Sequence, residues 1–325
     1  MAKVTMIEAI NLAHAWEMAH DPTVVVLGED VGVNGGVFRA TAGLQARFGN
    51  DRVQDTPLAE GMIGGMSIGM ATQGLRPVAE IQFMGFIYPA MDQIANHMAR
   101  MRNRTRGRIS CPMVMRMPHG GGIHAPEHHS ESLEAMLAHH AGLRVVCPSS
   151  PARAYGLLLA SIRDPDPVVF LEPVRLYRLV KQEVADDGQA LPLDVCYRLR
   201  EGTDVTIVTW GAMTFETMRT AEQLQKENVS CEVIDLATIS PIDHDTILES
   251  VAKTGRLVIV HEAPRNCGVG AEIAAHVAEH GLYDLQAPIQ RVTGYDTVMP
   301  LFRLEYDFIP SVARITDAVR ETMAD

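Results

Sequence analysis

Two stretches of the chain carry side chains whose types and spacing could do acid–base chemistry. The first is DTPLAEGMIGGMSIGMATQG, from Asp55 to Gly74. It sets one carboxylate, Glu60, at the start of an apolar helix pattern in which Leu58, Met62, Ile63, Met66, Ile68 and Met70 are expected to surround it. A carboxyl kept among apolar side chains can both give and take a proton. A glutamate at a helix start also has a plainer reading, as a cap or dipole partner. Gly61, Gly64, Gly65 and Gly69 share the segment, and together they cost the helix about 4 kcal/mol of propensity relative to alanine. Close approach of another backbone or of a ligand is what glycine permits, and one or the other is expected along this helix.

The second stretch is HGGGIHAPEHHSES, where His119, His124, His128 and His129 are followed closely by His139 and His140. His124, Glu127 and His128 formally match the H-x-x-E-H pattern of inverted zinc peptidases. That chemistry needs both histidines on one helix face, and Pro126 with Gly120 to Gly122 argues against a helix. A long loop of glycines and histidines at the C-terminal end of a parallel strand is nonetheless where α/β proteins place their sites. The glycines of VGVNGGVF, and GVGAEI at Gly268, form neither GxGxxG nor GxxxxGK[ST], so no nucleotide cradle is indicated.

The elements that must position these residues alternate. TVVVLGED, RVQDT, PVAEIQF, PMVMRMP, LRVVCP and PVVFLEP read as strands between helical patterns, the signature of a parallel sheet with helices on both faces. A long helix is expected from about Tyr88 to Arg106, ending on Arg100, Arg102, Arg104 and Arg106 as a solvated or subunit-facing end. Ser149 and Ser150 before Pro151 should start another helix. TDVTIVTW, CEVIDL, RLVIVHE and IQRVTG form a second α/β unit of four or five strands. The expected division is a first domain over 1–180, an exposed linker over 181–202 and a second domain over 203–325.

Composition bounds the function. At 325 residues two domains are the default, and 47% apolar with 21% charged residues is ordinary for a soluble globular protein. A net charge of −12 argues against nucleic acid or an anionic membrane surface as the main partner and suits a basic protein module. Five cysteines without C-x-x-C spacing indicate neither a disulfide framework nor a cysteine zinc site. The N-terminal MAKVTMIEAINLAHAWEMAHDP is unlike a signal or transit peptide, so a cytoplasmic protein is expected.

The succession LGEDVG, GGVFRAT, DTPLAEGMIGG, RPVAEIQFMGFIYPAMDQI, RMPHGGGIHAPEHHSES, DPVVFLEP, EAPR and RVTGYDTVMP resembles the beta subunit of the thiamine diphosphate-dependent first component of 2-oxo acid dehydrogenase complexes. The match is collinear over nearly the whole chain. It implies two transketolase-like domains, the first pyrimidine-binding and the second like the transketolase C-terminal domain, each a mostly parallel sheet covered on both faces. It also implies that Glu60 hydrogen-bonds the cofactor's aminopyrimidine, that Phe86 stacks on that ring and that the Leu58 backbone faces it. His129 matches the histidine that reaches the reaction centre and takes part in acyl transfer to a lipoyl arm. SIRDPDP resembles a monovalent-cation loop that some members use through backbone oxygens, which would involve Ser161, Asp164, Asp166 and the nearby Met113 in a potassium site, although Pro165 and Asp166 depart from the pattern.

The magnesium motif of thiamine diphosphate enzymes, GDG followed by asparagine, has no counterpart here. The resemblance therefore implies an alpha subunit that carries magnesium and the diphosphate half of the site, an α2β2 heterotetramer with the glycine-lined helix after Glu60 as an inter-subunit contact, and docking on a lipoyl acyltransferase core. Pyruvate is the expected substrate, because HAPEHHSES resembles the HTPELH type of loop in bacterial pyruvate enzymes. RVTGYDTVMP is also similar to branched-chain 2-oxo acid dehydrogenases, and an acetoin dehydrogenase is a third member of the group. From other classes, a one-chain transketolase would need the absent GDG half, and a non-catalytic assembly subunit would not need Glu60.

Overall fold

The computed structural model describes residues 2–324. Fourteen strands and eleven α-helices follow in order: β1 (Ala2–Thr5), α1 (Met6–His20), β2 (Val24–Gly28), α2 (Leu44–Phe48), β3 (Val53–Asp55), α3 (Glu60–Thr72), β4 (Arg76–Glu80), α4 (Met101–Arg104) and β5 (Val114–His119). Then come α5 (Glu134–Ala138), β6 (Arg144–Val146), α6 (Pro151–Arg163), β7 (Val168–Pro173), β8 (Lys181–Val184), β9 (Tyr197–Arg200), β10 (Val205–Thr209), α7 (Met213–Gln225) and β11 (Cys231–Asp235). The chain closes with β12 (Thr238–Ser240), α8 (His244–Thr254), β13 (Leu257–Pro264), α9 (Val269–His280), β14 (Gln290–Gly294), α10 (Glu305–Phe308) and α11 (Val312–Ala324).

The period-2 alternation of the strands builds two apolar layers. Val24, Val26, Ile207, Val258 and Val260 face one layer with Ile10 of α1, Leu158 of α6, Leu224 of α7 and Val319 of α11. Leu27, Ala79, Met115, Val208 and Ile259 face the other with Ile63 of α3, Leu137 of α5, Val251 of α8 and Ile273 of α9. Each layer runs under both halves of the chain. Local signals fix the helix starts: Thr5 and Glu8 form a capping box on α1, and Ser150 accepts the Arg153 N–H ahead of α6, with Pro151 in its first turn.

The first sheet has the order β12-β6-β7-β5-β4-β2-β3, and its six strands from the first half are parallel. Its seventh strand, β12, comes from the second half and pairs antiparallel with β6. The second sheet, β14-β13-β10-β11-β9, is parallel except for β9 at its edge. Both halves are thus parallel sheets covered by helices on two faces, the α/β class expected.

Three expectations are corrected. The 181–202 segment is not simply exposed linker, because β8 pairs with β1 and β9 closes the edge of the second sheet. The long helix expected from Tyr88 to Arg106 is a 3₁₀ turn at Tyr88–Ala90, a π-helical segment at Gln93–Met98 and the short α4, so its hydrogen-bond period changes twice. The glycines of α3 mostly serve packing within the chain. A Cβ at Gly61 would lie 3.1 Å from the Pro89 carbonyl oxygen, and one at Gly64 3.1 Å from Gln93 Cβ. Gly65 lies against the same glutamine, while Gly69 faces open space and is the one left for another chain.

A buried ion cluster ties the centre of the first sheet. Arg116 on β5 donates Nε and Nη2 to the two carboxylate oxygens of Glu172 on β7, at 2.7 and 2.8 Å, and Nη1 to Glu80 at the end of β4. The Tyr177 hydroxyl also donates to Glu172. All four side chains are buried. One guanidinium faces two carboxylates, and burial raises the Glu80 carboxyl above its ordinary range despite the Arg116 charge. Removing the cation would strand both acids. Arg116→Met is expected to cost about 3–5 kcal/mol in urea unfolding at neutral pH, and to recover part of that as acid neutralises Glu80.

Candidate active site

The C-terminal ends of β2, β3, β4 and β5 lie side by side, and the loops leaving them carry the candidate residues. After β2 come Glu29 and Asp30. The loop that follows folds back over β4, where a Cβ at Gly36 (φ +77°) would lie 3.0 Å from Glu80 Oε1. Asp55, at the end of β3, accepts the Gly32 N–H at 2.6 Å and pins this loop to the neighbouring strand. Glu60 opens α3 and is buried, preceded by Ala59, which supplies no side-chain cap. The Pro89 backbone against Gly61 brings the turn bearing Phe86 beside the first turn of the same helix.

The apolar surround expected for Glu60 is only half present. Ile63 and Ile68 are buried, but Leu58 is 79% exposed and Met62 41%. The outer wall of this carboxylate is open to solvent in the single chain. What faces Glu60 from inside is another acid. Glu29 is buried, and its carboxyl is raised above the ordinary range by desolvation and then by the charges of Glu60, Asp30 and Glu80.

On the other side an aromatic frame holds one histidine. The His129 ring meets Phe83 edge-on at 4.5 Å and Phe86 at 5.1 Å, and the two phenylalanines are 5.7 Å apart. His129 is half-buried and its Nδ1 has no protein partner, whereas the adjacent His128 is exposed. Gly85 makes this seating possible: a Cβ there would fall 2.0 Å from the His128 carbonyl oxygen. The 124–129 segment is a loop with a short 3₁₀ turn and His124 at φ +56°, not the helix an H-x-x-E-H site needs. His119 is buried against Cys147 instead, Nε2 to Sγ 3.3 Å.

The side chains of the loop expected to hold potassium are engaged within the chain. Asp164 accepts from Arg144 at 2.9 Å through Oδ2 and from the Asp166 N–H at 2.8 Å through Oδ1, and its carbonyl accepts from Arg76 at 3.0 Å. Asp166 is paired with Arg102 at 2.6 Å. The Ser161 hydroxyl donates to the Leu157 carbonyl, and the Met113 carbonyl accepts the Val168 N–H in the sheet. Guanidinium groups already supply the positive charge in that loop. Among the described residues no group of three or more His, Cys, Asp and Glu side chains is disposed to hold a metal ion.

Thiamine diphosphate has two unlike ends, and the donor set fits one of them. Glu60, the Leu58 backbone and Phe86 offer a carboxyl, polar main chain and an aromatic face for a flat, hydrogen-bonding heterocycle, and His129 Nδ1 stands without a partner beside them. The diphosphate end finds nothing here. Glu29, Asp30, Glu60 and Glu80 make this mouth acidic, and the one buried arginine below it is already paired. An anion would be repelled.

Sequence reasoning missed Glu29, Phe83 and Gly85. A signal for the first was present, since Glu29 follows directly after an all-buried parallel strand, the position where such sheets place functional groups.

Residues 2–180 match the model of the transketolase pyrimidine binding domain, and residues 195–315 that of the transketolase C-terminal domain. The chain is 48% identical over 323 residues to a Bacillus subtilis protein named pyruvate dehydrogenase E1 component subunit beta, covering 99% of both. It is 49% identical over 323 residues to proteins of the same name from Staphylococcus aureus strains Mu50 and MW2, again with 99% of both covered. A solved split-gene transketolase chain shares the fold, with a TM-score of 0.82 at 23% identity over 99% of each chain.

The raised Glu29 carboxyl has a sign. A carboxyl whose folded pKa lies above its ordinary 4.5 stabilises the fold fully below that value and loses this contribution as pH rises through the folded pKa. Glu29→Gln should therefore raise the urea midpoint of the chain at neutral pH and leave it nearly unchanged below 4.5. An equal gain at both ends of the range would remove the charge-repulsion account.

Proposed function

Since the chain belongs to the beta-subunit family of the pyruvate dehydrogenase E1 component, we propose that it is the subunit which binds the aminopyrimidine end of thiamine diphosphate in a pyruvate-decarboxylating, acyl-transferring enzyme. The observation that carries this reading is the near-complete alignment with pyruvate dehydrogenase E1 beta subunits together with the convergence of Glu60, Phe86 and His129 at one end of the first sheet. When bound, thiamine diphosphate supplies a carbon nucleophile and an electron sink for loss of carbon dioxide from a 2-oxo acid.

The chain's own residues do the rest of the work assigned to this half. Glu60 hydrogen-bonds the aminopyrimidine and exchanges a proton with it. Phe86 provides a face for the ring, and the Leu58 backbone closes its edge. His129, framed by Phe83 and Phe86 with Nδ1 unpartnered, hydrogen-bonds the reacting substrate and the arriving lipoyl group. The exposed Leu58, Met62 and Gly69 mark the side on which an alpha subunit completes the pocket, brings magnesium and holds the diphosphate. A lipoyl acyltransferase core then receives the acyl group.

Among the described residues no helix is long and apolar enough to cross a membrane, which is compatible with work in a soluble complex. The test is a panel of 2-oxo acids on the chain co-expressed with its alpha subunit, scored by carbon dioxide release. Pyruvate should be decarboxylated best; preference for branched-chain acids, or acetaldehyde release from acetoin in a parallel assay without carbon dioxide release from pyruvate, would transfer the assignment to those relatives. In the same complex Glu60→Gln should lower turnover about 10²–10⁴-fold. Intact turnover in that variant would make the chain an assembly subunit.

A further inference from the structure

The loop that carries His129 is closed at its base, where the Gly120 N–H donates to the Glu131 carbonyl at 2.9 Å. In its first arm, Gly120 to His124, three amides meet two carboxylates of the second half. The Gly121 N–H donates to Glu262 on β13. The Gly122 N–H donates to Glu305 Oε1 at 2.7 Å, and the His124 N–H reaches Oε1 at 3.3 Å and Oε2 at 3.0 Å. The His124 ring Nε2 lies 3.6 Å from the same Oε2.

Both carboxylates are nearly sealed, Glu262 at 6% and Glu305 at 1% exposure. A buried carboxylate is costly unless its oxygens are hydrogen-bonded. Arg175, whose charge reaches Glu262, is itself bridged to Glu216. The amides of the loop are therefore the main direct partners of these acids. The glycines are what let the arm in. A Cβ at Gly120 (φ +83°) would lie 2.9 Å from Glu262 Oε1, one at Gly121 2.6 Å from Met299 Cε, and one at Gly122 (φ +89°) 2.3 Å from Arg175 Cδ. An acceptor-only group suits this place, because both oxygens of Glu305 meet N–H donors.

We propose that Glu262 and Glu305 are positioning residues which clamp the Gly120–His124 arm from the second domain and so hold the His129 ring between Phe83 and Phe86. The clamp is a property of the chain; its effect on turnover rests on the functional reading above. Neither acid touches the aromatic frame, so the coupling runs through the backbone of the loop.

The complex with the alpha subunit tests this by amide hydrogen exchange over residues 119–131 and by steady-state kinetics on the same samples. Glu305→Ala should speed exchange at Gly122 and His124 about tenfold or more, and should lower kcat about 100-fold with KM for the 2-oxo acid nearly unchanged. Glu262→Ala should act in the same direction, and Glu262→Gln, which keeps an acceptor oxygen for Gly121, should restore most of the loss. Glu305→Gln should restore less, because its NH₂ group faces the His124 N–H. Unchanged exchange in the alanine variants, or faster exchange with unchanged kcat, would overturn the proposal. If an alanine variant does not assemble, equal exchange and equal kcat in the two glutamine variants would overturn it. A wild-type complex that decarboxylates no 2-oxo acid would sink the functional reading alone, and the exchange arm would still judge the clamp.

Discussion

Carboxylates crowd the end of the first sheet, and the charge imbalance there constrains everything around it. Glu29, Asp30, Glu60 and Glu80 gather where β2 and β4 end and α3 begins, while the one buried arginine beneath them, Arg116, is already shared between Glu80 and Glu172. Such a mouth suits a neutral, hydrogen-bonding group better than an anion. It cannot hold a diphosphate without a strong external cation. The same acids account for the raised Glu29 carboxyl and for a site that costs stability in the chain by itself, as functional sites commonly do.

Close backbone approach is the second constraint, and it explains where the glycines fall. Gly61 and Gly64 let the segment from Pro89 to Gln93 lie on α3, Gly85 admits the turn that carries His129, and Gly120 to Gly122 admit two carboxylates and an arginine stem. None of these sites tolerates a Cβ without movement. The two halves are bound together by more than their shared apolar layers: β12 leaves the second half to edge the first sheet, and Glu262 and Glu305 reach the loop from the same side of the chain.

Much of this was legible from residues alone, and the exceptions have physical causes. The parallel strands stood out because each is an apolar run between turn signals, and Ser150-Pro151 marked the start of α6. Glu60 was visible as a lone acid heading an apolar helix, although Leu58 and Met62 proved exposed, because sequence pattern reports apolar faces without saying which chain covers them. β1, β8 and β12 were missed because each has three or four residues and pairs only with a partner remote in sequence. The change to a π-helical period at Gln93 leaves no trace in spacing. The resemblance of SIRDPDP to a cation loop could not reveal that Arg76, Arg102 and Arg144 fold onto Asp164 and Asp166, because those partners lie elsewhere in the sequence.

The central claim is that this chain holds one half of a cofactor site and that its acidic mouth cannot bind thiamine diphosphate unaided. Calorimetric titration of thiamine diphosphate with magnesium into the lone chain, and into the chain assembled with its alpha subunit, tests that claim most directly. The account predicts tight, saturable binding to the assembly and no measurable heat of binding to the lone chain. Tight binding to the lone chain would contradict it.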